Sequence, residues 1–419
     1  MSEKIKKERI NMKQIEGGVV AAKGFKAAGV RAGIKESSSK KDMAMIFSEI
    51  PCKAAGTFTS NVVKAAPVKY DMDIVNNSPF VQAVVVNSGV ANACTGEEGM
   101  KNCKELAAAA GKALNIPEGA VLIGSTGVIG AKLPMEKMTD GIAKLAGELG
   151  STPNDGTMAA EAIMTTDTVS KEIAYELEIG GKTVKIGGMC KGSGMIHPNM
   201  CTMLAFITSD VSISKEMLTE IVKADVKDTF NMISVDGDTS TNDTMLVITN
   251  GMAGNPEITE KNSDYEAFAK ALKEVNTFLA KKMAGDGEGA TALFEVKVTG
   301  ADTKENAVRV SKSIVTSSLV KAAIYGHDAN WGRILCAMGY SGVEFDPDKV
   351  DIFFESRAGK LKIVENGIAA DYSEEEATKI LSEDEVTAIA DMKMGTESAT
   401  SWGCDLTYDY VKINADYRS

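Results

Sequence analysis

A hydroxyl residue, Thr202, lies near the middle of the chain, where a glycine-rich loop leads into an apolar segment. Gly192, Gly194 and Pro198 predict the loop, and residues 202–208 are short, mostly apolar and begin abruptly, which is typical of a buried strand. Thr202 can be a structural first residue of that strand, because β-branched residues are common in strands. It can also become a new N-terminus, in which its hydroxyl is the nucleophile and its own amine is the base.

Four polar segments elsewhere have weaker patterns. Residues 159–168 end an apolar stretch in polar residues, which is typical of a helix terminus or of a turn that binds a zwitterion. Residues 235–244 are rich in Asp but lack the acidic twelfth ligand of a calcium-binding EF-hand loop. Glu288 stands between two glycines before an apolar strand. Residues 326–333 crowd His, Asp, Asn, Trp and Arg, which indicates either a hydrogen-bonded corner or part of a site.

A turn at the end of the predicted strand in residues 121–130 offers a different kind of chemistry. The Thr126 hydroxyl and the Gly127 N–H can point in one direction there, as an oxyanion hole requires. The segment matches neither GxxxxGK[ST] nor GxGxxG, so a phosphate cradle is not supported. Residues 87–96 form a second small-residue loop after a strand, which is either a connector or a binding loop.

The elements that must position these residues alternate between strands and helices, which indicates an α/β layered architecture. A hairpin over residues 173–186 leads into the central loop. Long helices are predicted over residues 264–283 and 306–325, and a final strand over 404–413. The polar residues 414–419 that follow are either a free tail, as is usual at a terminus, or part of a site. Shorter strands are predicted over residues 17–22, 43–47, 55–59 and 81–86.

The composition is that of a folded protein with a large core. The chain has 419 residues, 44% of them hydrophobic and 25% charged, so it needs neither disulfide nor metal staples. A net charge of −12 argues against nucleic-acid binding. Seven cysteines without a CxxC pair and only two histidines indicate reduced thiols and no His-rich metal site. Without a membrane-spanning apolar run or a signal peptide, we expect a cytoplasmic protein.

Five motifs together resemble those of the ornithine acetyltransferases (glutamate N-acetyltransferases), in the same order along the chain. They are Gly124-Ser-Thr-Gly-Val-Ile-Gly130, Met164-Thr-Thr-Asp-Thr168, Lys191-Gly-Ser-Gly-Met-Ile-His-Pro-Asn-Met-Cys-Thr-Met-Leu204, Asp236-Gly-Asp-Thr-Ser-Thr-Asn-Asp-Thr244 and Gly326-His-Asp-Ala-Asn-Trp-Gly-Arg-Ile334. The resemblance runs from about residue 15 to the C-terminus. Two positions depart from the family pattern: Cys201 replaces an Ala, so that its thiol is a competing nucleophile, and Val90 replaces an Asn.

The resemblance implies an acyltransferase of arginine biosynthesis, which moves acetyl from N2-acetylornithine to glutamate by ping-pong kinetics through an acetyl-Thr202 ester. It implies autocatalytic cleavage between Cys201 and Thr202 into an α chain, residues 1–201, and a β chain, residues 202–419. The two chains would form one intertwined catalytic unit, an αββα-type sandwich with mixed sheets, and assemble as an α2β2 heterotetramer. No cofactor, metal, nucleic acid or membrane is implied, and the use of acetyl-CoA as a second donor is left open.

The resemblance also assigns roles to individual residues. Thr202 would be the nucleophile, and Thr126 with Gly127 would stabilise the oxyanion. Lys191 would pair with the α-carboxylate that ornithine and glutamate share, and Glu288 with the side-chain ammonium of ornithine. The substrate-binding residues implied in this way are Thr165 or Thr166, Lys191, Thr202, Glu288, Asn414 and Ser419.

Two other functions fit the same scaffold. One is a related self-processing amidase or aminopeptidase, which passes its acyl group to water. The other is a binding protein without catalysis, which would remain uncut and would not change when Thr202 is replaced by Ala. An assay with acetylornithine, with and without glutamate, separates the transferase from the amidase.

Overall fold

The computed structural model describes residues 12–36, 39–197 and 203–416. The strands in these ranges are β1 (Met12–Ile15), β2 (Phe25–Val30), β3 (Met43–Phe58), β4 (Val81–Val90), β5 (Val121–Val128), β6 (Lys171–Ile179), β7 (Lys182–Lys191), β8 (Leu204–Ser209), β9 (Ile233–Ser234), β10 (Thr244–Thr249), β11 (Leu293–Ala301), β12 (Asp351–Ser356), β13 (Gly359–Glu365), β14 (Ile368–Ala369), β15 (Glu385–Asp391) and β16 (Glu397–Cys404). The α-helices are α1 (Ala66–Asn77), α2 (Gly96–Leu114), α3 (Met135–Glu148), α4 (Pro153–Ala162), α5 (Lys215–Asp228), α6 (Ser263–Gly285), α7 (Lys304–Thr316), α8 (Ser318–Tyr325), α9 (Trp331–Gly339), α10 (Glu374–Leu381) and α11 (Tyr408–Ala415).

The long strand β3 belongs to both halves of a bent sheet with the order β1-β6-β7-β8-β10-β3-β4-β5, in which β2 also pairs with β3. Its first residues pair with β2 and β4, and residues 53–58 pair with β10. Between these parts the exposed residues 49–51 interrupt the buried pattern, and the register shifts between Phe47 and Cys52. A bulge of this kind bends a strand and increases its twist, which lets one half of the sheet fold over the other.

The two halves pack face to face, with helices on their outer sides. Val86 and Leu122 of one half share an apolar cluster with Phe206 and Leu246 of the other. A Cβ on Gly124 would lie 3.2 Å from the Phe206 ring. Helices α2 and α3 cover the outer face of the first half, and α5 and α6 cover that of the second. The layers are therefore helix, sheet, sheet and helix, which confirms the predicted αββα sandwich.

A second sheet follows, with the strand order β14-β13-β12-β15-β11-β16-β9. Helix α6 joins it to the sandwich, because it packs against β6 and β7 on one side and against β11 and β16 on the other. The α6 side chains Phe268, Leu272 and Leu279 are fully buried in the shared cluster. The sequence did not predict this second sheet as a separate layer.

Several strand ends converge at one edge of the sandwich. Strands β8 and β10 are parallel and begin together, with Leu204 beside Thr244. The antiparallel strand β7 ends at Lys191, directly opposite Leu204, and β5 ends nearby at Val128 in the other half. Loops at such ends are common positions for functional side chains.

Five of the predicted elements differ from the structure. Residues 18–20 form a 3₁₀-helix instead of a strand, and the strands predicted over 43–47 and 55–59 are parts of one strand, β3, which ends at Phe58. The helix over 306–325 is broken at Ser317, whose hydroxyl accepts the Val320 N–H and so caps α8. The predicted strand over 404–413 is instead the end of β16 followed by α11, for which Thr407 is the N-cap.

Candidate active site

A cavity of about 310 Å³ lies at the edge where the strand ends converge. Seven of the residues that the sequence analysis assigned to the site line this cavity: Thr126, Gly127, Thr165, Thr166, Lys191, Glu288 and Asn414. They come from five separate segments of the chain. The remaining three, Cys201, Thr202 and Ser419, lie outside the described residues.

The turn with Thr126 and Gly127 owes its shape to an irregularity between β4 and β5. The register shifts there, so that Val90 faces both Thr126 and Val128. Gly127 has a φ of 130°, and a Cβ at this position would lie 2.2 Å from the carbonyl carbon of Gly89. Only glycine fits this conformation and this close approach, so the turn carries a backbone N–H and the Thr126 hydroxyl to the cavity wall.

Asn242 holds the same turn from the other half of the sheet. Its Nδ2 donates to the carbonyl oxygens of Ser125, at 2.8 Å, and Ala91, at 2.5 Å. Because Asn242 is buried and lies two residues before the start of β10, these bonds fix the oxyanion turn relative to the beginnings of β8 and β10.

Lys191 is a buried cation on the cavity wall, with 7% of its surface exposed. Burial lowers the pKa of Lys191, and the charge of Asp167 opposes that shift. A buried ammonium is costly unless an anion compensates it. The Lys191 side chain is therefore placed to favour a substrate carboxylate.

A buried charge network connects three walls of the cavity. The Lys171 ammonium donates to Asp167 Oδ1 at 2.7 Å and to Asp286 Oδ2 at 2.5 Å, and its side chain is fully buried. Although burial opposes it, Lys191 and Lys171 hold the pKa of Asp167 well below its usual range. Asp167 is therefore ionised, and its negative charge stabilises the positive charges of both lysines.

The two carboxylates of this network also accept backbone hydrogen bonds. Asp167 accepts the N–H groups of Thr165, at 3.0 Å, and Gly192, at 2.8 Å. Asp286 accepts the Thr168 N–H at 3.1 Å and its hydroxyl. The network thus ties the Thr165–Thr166 turn to the loop after β7 and to the loop before Glu288.

Glu288 lies close to the loop after β7 because Gly194 in that loop has no side chain. A Cβ on Gly194 would lie 2.3 Å from the Glu288 carboxylate, and the Glu288 N–H donates to the carbonyl of Ser193 at 3.1 Å. Any larger residue at position 194 would displace this carboxylate. Glu288 is buried, with 7% exposed, and it supplies the negative charge of the cavity.

The C-terminal helix α11 closes the cavity beside Glu288. Asn414 Nδ2 donates to Glu288 Oε2 at 2.7 Å, and the Thr407 hydroxyl donates to the carbonyl of Gly289 at 2.7 Å. The helix is therefore docked on the Glu288 loop. Asn414 belongs to it, so the interpretation of residues 414–419 as a free tail is wrong for the described residues 414–416.

Asp243 is a site residue that the sequence analysis did not single out. It is 1% exposed, and its Oδ2 has no hydrogen-bond partner in the part of the chain that the structure describes. It borders a small cavity of about 30 Å³ together with Thr126, Lys191 and Met203. Burial raises the pKa of Asp243 well above its usual range, although the Ser240 hydroxyl and the Lys191 charge oppose this. The Asp243 carboxyl therefore lies in the wall of this small cavity, close to the start of β8.

The rest of the Asp-rich segment shapes the loop after β7. Asp236 accepts the N–H groups of Met195, at 2.6 Å, and Ile196, at 2.9 Å. Thr239 donates its hydroxyl to the carbonyl of His197 at 2.8 Å. Across the described residues, 12–36, 39–197 and 203–416, no group of three or more His, Cys, Asp or Glu side chains is arranged to hold a metal ion.

The polar segment 326–333 does not reach the cavity. His327 borders another surface depression, with Tyr325 and Ser382. Asn330 accepts the Arg333 N–H as the N-cap of α9, and Arg333 Nη1 donates to the carbonyl of Leu319 at 2.8 Å. Of the two interpretations, the hydrogen-bonded corner fits the structure.

Comparison with known proteins identifies relatives over nearly the whole chain. The ArgJ family model matches residues 26–419. The arginine biosynthesis bifunctional protein ArgJ of Thermotoga neapolitana is 52% identical over 398 residues, 95% of this chain and 99% of the relative. The protein of the same name from Symbiobacterium thermophilum is 51% identical, over 97% of this chain and 100% of the relative.

Two solved structures are also similar in sequence. The arginine biosynthesis bifunctional protein argJ of Bacillus halodurans is 43% identical, covering 46% of this chain and 100% of the solved chain, with a TM-score of 0.44. An ornithine acetyltransferase of Mycobacterium tuberculosis, complexed with ornithine, is 40% identical, covering 45% and 99%, with a TM-score of 0.42. No helix among the described residues of the present chain has the length and apolar character needed to cross a membrane.

Proposed function

Since the chain belongs to the ArgJ family, we propose that it transfers an acetyl group from N2-acetylornithine to glutamate through an acetyl-Thr202 ester. The observation that carries this proposal is the single cavity lined by Thr126, Gly127, Lys191 and Glu288. It combines a buried cation for a carboxylate, a buried carboxylate for an ammonium, and an N–H with a hydroxyl for an oxyanion. These are the groups that acyl transfer between two amino acids requires.

The reactive form would arise by self-cleavage. The Thr202 hydroxyl oxygen attacks the Cys201 carbonyl carbon, the peptide C–N bond breaks, and the hydroxyl proton passes to the released amine. Water then hydrolyses the ester, which leaves a carboxylate on Cys201 and a free Thr202 at the start of the β chain. Once cleavage has made Thr202 the N-terminal residue, it carries its own base, so acetyl transfer does not depend on a histidine.

Acetyl transfer would use the same hydroxyl in two steps. A free α-amine titrates near 8, so the Thr202 amine can accept the hydroxyl proton as the oxygen attacks the acetyl carbon of acetylornithine. The tetrahedral oxyanion accepts hydrogen bonds from the Thr126 hydroxyl and the Gly127 N–H. Ornithine leaves with a proton on its α-amine, and the neutral α-amine of glutamate then attacks the ester and restores the hydroxyl.

The charged side chains would orient both substrates. Lys191 pairs with the α-carboxylate, which acetylornithine and glutamate have in common, and burial strengthens that interaction. Glu288, oriented by Asn414, pairs with the side-chain ammonium of ornithine. The substrate-binding set is completed by Ser419 and by Thr165 or Thr166. Substituting each threonine separately tests which of the two contacts the substrate.

Three further features belong to this proposal. The two chains stay together as one catalytic unit, since β7 of the α chain pairs with β8 of the β chain over six residue pairs. The assembly is an α2β2 heterotetramer, and it is located in the cytoplasm. The relatives' name, a bifunctional protein, supports a second activity, for which we propose acetyl-CoA as the donor. Neither reaction calls for a metal or an organic cofactor.

The decisive assay supplies acetylornithine with and without glutamate and measures acetylglutamate and acetate. The proposal predicts stoichiometric acetylglutamate only when glutamate is present, and no product from Thr202→Ala. Acetate release at the same rate without glutamate would instead identify the amidase alternative. Retained transfer by Thr202→Ala, with loss in Cys201→Ala, would identify the thiol as the nucleophile.

A further inference from the structure

A second cavity, also of about 310 Å³, lies beside the first and shares Gly127, Thr165 and Thr166 with it. Lys35 and Ile413 line only this second cavity. The oxyanion turn and the Thr165–Thr166 turn therefore border both spaces, and the two spaces have different charged groups. Lys191 and Glu288 border the first space, and the Lys35 ammonium borders the second.

The loop that carries Lys35 is rigidly organised. The Asp42 carboxylate is fully buried and accepts the backbone N–H groups of four successive residues, Ala32, Gly33, Ile34 and Lys35, at 2.6, 3.0, 2.6 and 3.1 Å. A carboxylate saturated by backbone donors in this way fixes the loop conformation. The position of Lys35 at the cavity is thus part of the fold.

The Lys35 ammonium has hydrogen-bonding capacity that the described residues do not use. Its Nζ donates to the carbonyl of Met164 at 2.7 Å, whereas an ammonium has three donors. No carboxylate of the described residues forms an ion pair with it within 4.0 Å. Burial lowers the pKa of Lys35 to about 8, Asp42 and Asp167 oppose this shift, and Lys40 and Lys191 add to it. An anion in the second cavity would relieve this unfavourable burial.

The proposed reaction supplies such an anion. The donor and the acceptor share the α-carboxylate and the α-nitrogen, but the side chain of ornithine ends in an ammonium and that of glutamate in a carboxylate. Glu288 attracts the first and repels the second. Two like charges placed close together near a protein surface repel each other. The side-chain carboxylate of the acceptor therefore needs a binding position away from Glu288, on the far side of the oxyanion turn or beside it.

We propose that Lys35 binds the side-chain carboxylate of the acceptor glutamate in the second cavity, while Glu288 binds the side-chain ammonium of the donor in the first. This inference rests on the proposed transferase function. Under this proposal Glu288 recognises the donor in the first half-reaction and Lys35 recognises the acceptor in the second. The two substrates differ in the sign of the charge on the side chain. Both substrates place the α-nitrogen at the Thr126–Gly127 turn, which borders both cavities.

A purely structural role for Lys35 makes a different prediction. If its only role is to hold the Met164 carbonyl, and with it the Thr165–Thr166 turn, then removing the ammonium would weaken both half-reactions together. If it binds the glutamate side chain, only the second half-reaction changes. Measuring the two half-reactions separately distinguishes the roles.

The test compares Lys35→Met with Lys132→Met, which removes an exposed lysine just beyond the oxyanion turn. Acetyl-enzyme formation from acetylornithine is followed by mass spectrometry, and the KM for glutamate and the glutamate-to-glutamine ratio of kcat/KM are measured at steady state. We expect Lys35→Met to acetylate at the wild-type rate, with the KM for glutamate raised about 10- to 100-fold, as for loss of a hydrogen bond to a charged group. The preference for glutamate over glutamine should fall by a similar factor, and Lys132→Met should match the wild type.

Lys35→Arg keeps the charge and should retain most of the preference for glutamate, which separates charge from folding. An unchanged glutamate KM in Lys35→Met, or an equal loss in both half-reactions, would overturn the inference. Failure of the wild-type protein to form an acetyl-enzyme is a different result, because it contradicts the proposed function itself.

Discussion

Thr126 offers the clearest single-residue test of the proposed oxyanion hole, because its hydroxyl can be removed at nearly constant shape. Thr126→Val should lower kcat for acetyl transfer about 10²- to 10³-fold with little change in KM, since the lost hydrogen bond forms mainly in the transition state. Thr139→Val is a matched control, because that hydroxyl bonds only to the Met135 carbonyl on an exposed helix face. Equal kcat values for the two variants would remove Thr126 from the mechanism.

At the residue scale, a local pattern predicted Thr126 and Gly127, and the family resemblance predicted Lys191 and Glu288. The structure brings all four to one cavity. Neither the pattern nor the resemblance gave a signal for Lys35, whose placement depends on Asp42 and on a turn about 130 residues away. Long-range burial of this kind has no local pattern. The roles assigned to all these residues remain predictions.

At the scale of elements, the Asp167–Lys171–Asp286 network should be the most sensitive link among the site segments. Lys171→Met leaves two buried carboxylates without their shared cation, which should lower the free energy of unfolding by about 3–5 kcal/mol. Lys13→Met removes the exposed partner of Glu176, in a pair with side-chain exposures of 75% and 28%, and should cost less than about 1 kcal/mol.

Chemical denaturation of the two lysine variants provides the measurement, together with transfer activity under native conditions. We expect Lys171→Met to lose activity even where it remains folded, because the turn at Thr165 and the loop at Gly192 both bond to Asp167. Similar unfolding free energies for Lys171→Met and Lys13→Met would show that the network contributes little to the position of these segments.

The sequence predicted elements with strong periodicity or clear caps, such as the hairpin of β6 and β7 and the long helix α6, for which Asn262 is the N-cap. It failed at β3, since this strand crosses between two sheet halves and contains an exposed interruption with a proline, residues 49–51, that resembles a turn. It also failed at α11, where the cap Thr407 outweighs the apolar residues that suggested a strand. Tertiary packing overrides local preference at β3, whereas at α11, which has no buried residues, a local cap decides.

At the scale of the whole molecule, the C-terminal helix α11 brings Asn414 to the site that the middle of the chain forms. Removing residues 414–419 should abolish transfer, because Asn414 orients Glu288, and should change the free energy of unfolding by less than about 1 kcal/mol, since the described residues 414–416 are exposed. Kinetics and denaturation of the truncated protein provide the measurement.

A shorter truncation, of residues 417–419 alone, isolates Ser419. This shorter variant retains Asn414 and should therefore keep part of the transfer activity. The difference in activity between it and the full-length protein reports the contribution of Ser419. Full activity after removal of residues 414–419 would contradict the assignment of the C-terminal helix to the substrate site.

The central claim is that Thr202 becomes an N-terminal nucleophile and carries the acetyl group. Intact mass spectrometry of the purified protein, before and after incubation with acetylornithine, tests it most directly. We predict two chains divided between Cys201 and Thr202, with one acetyl group added to the β chain at Thr202 and removed again by glutamate. A single uncut chain that is fully active, or an acetyl group on any other residue, would contradict the account.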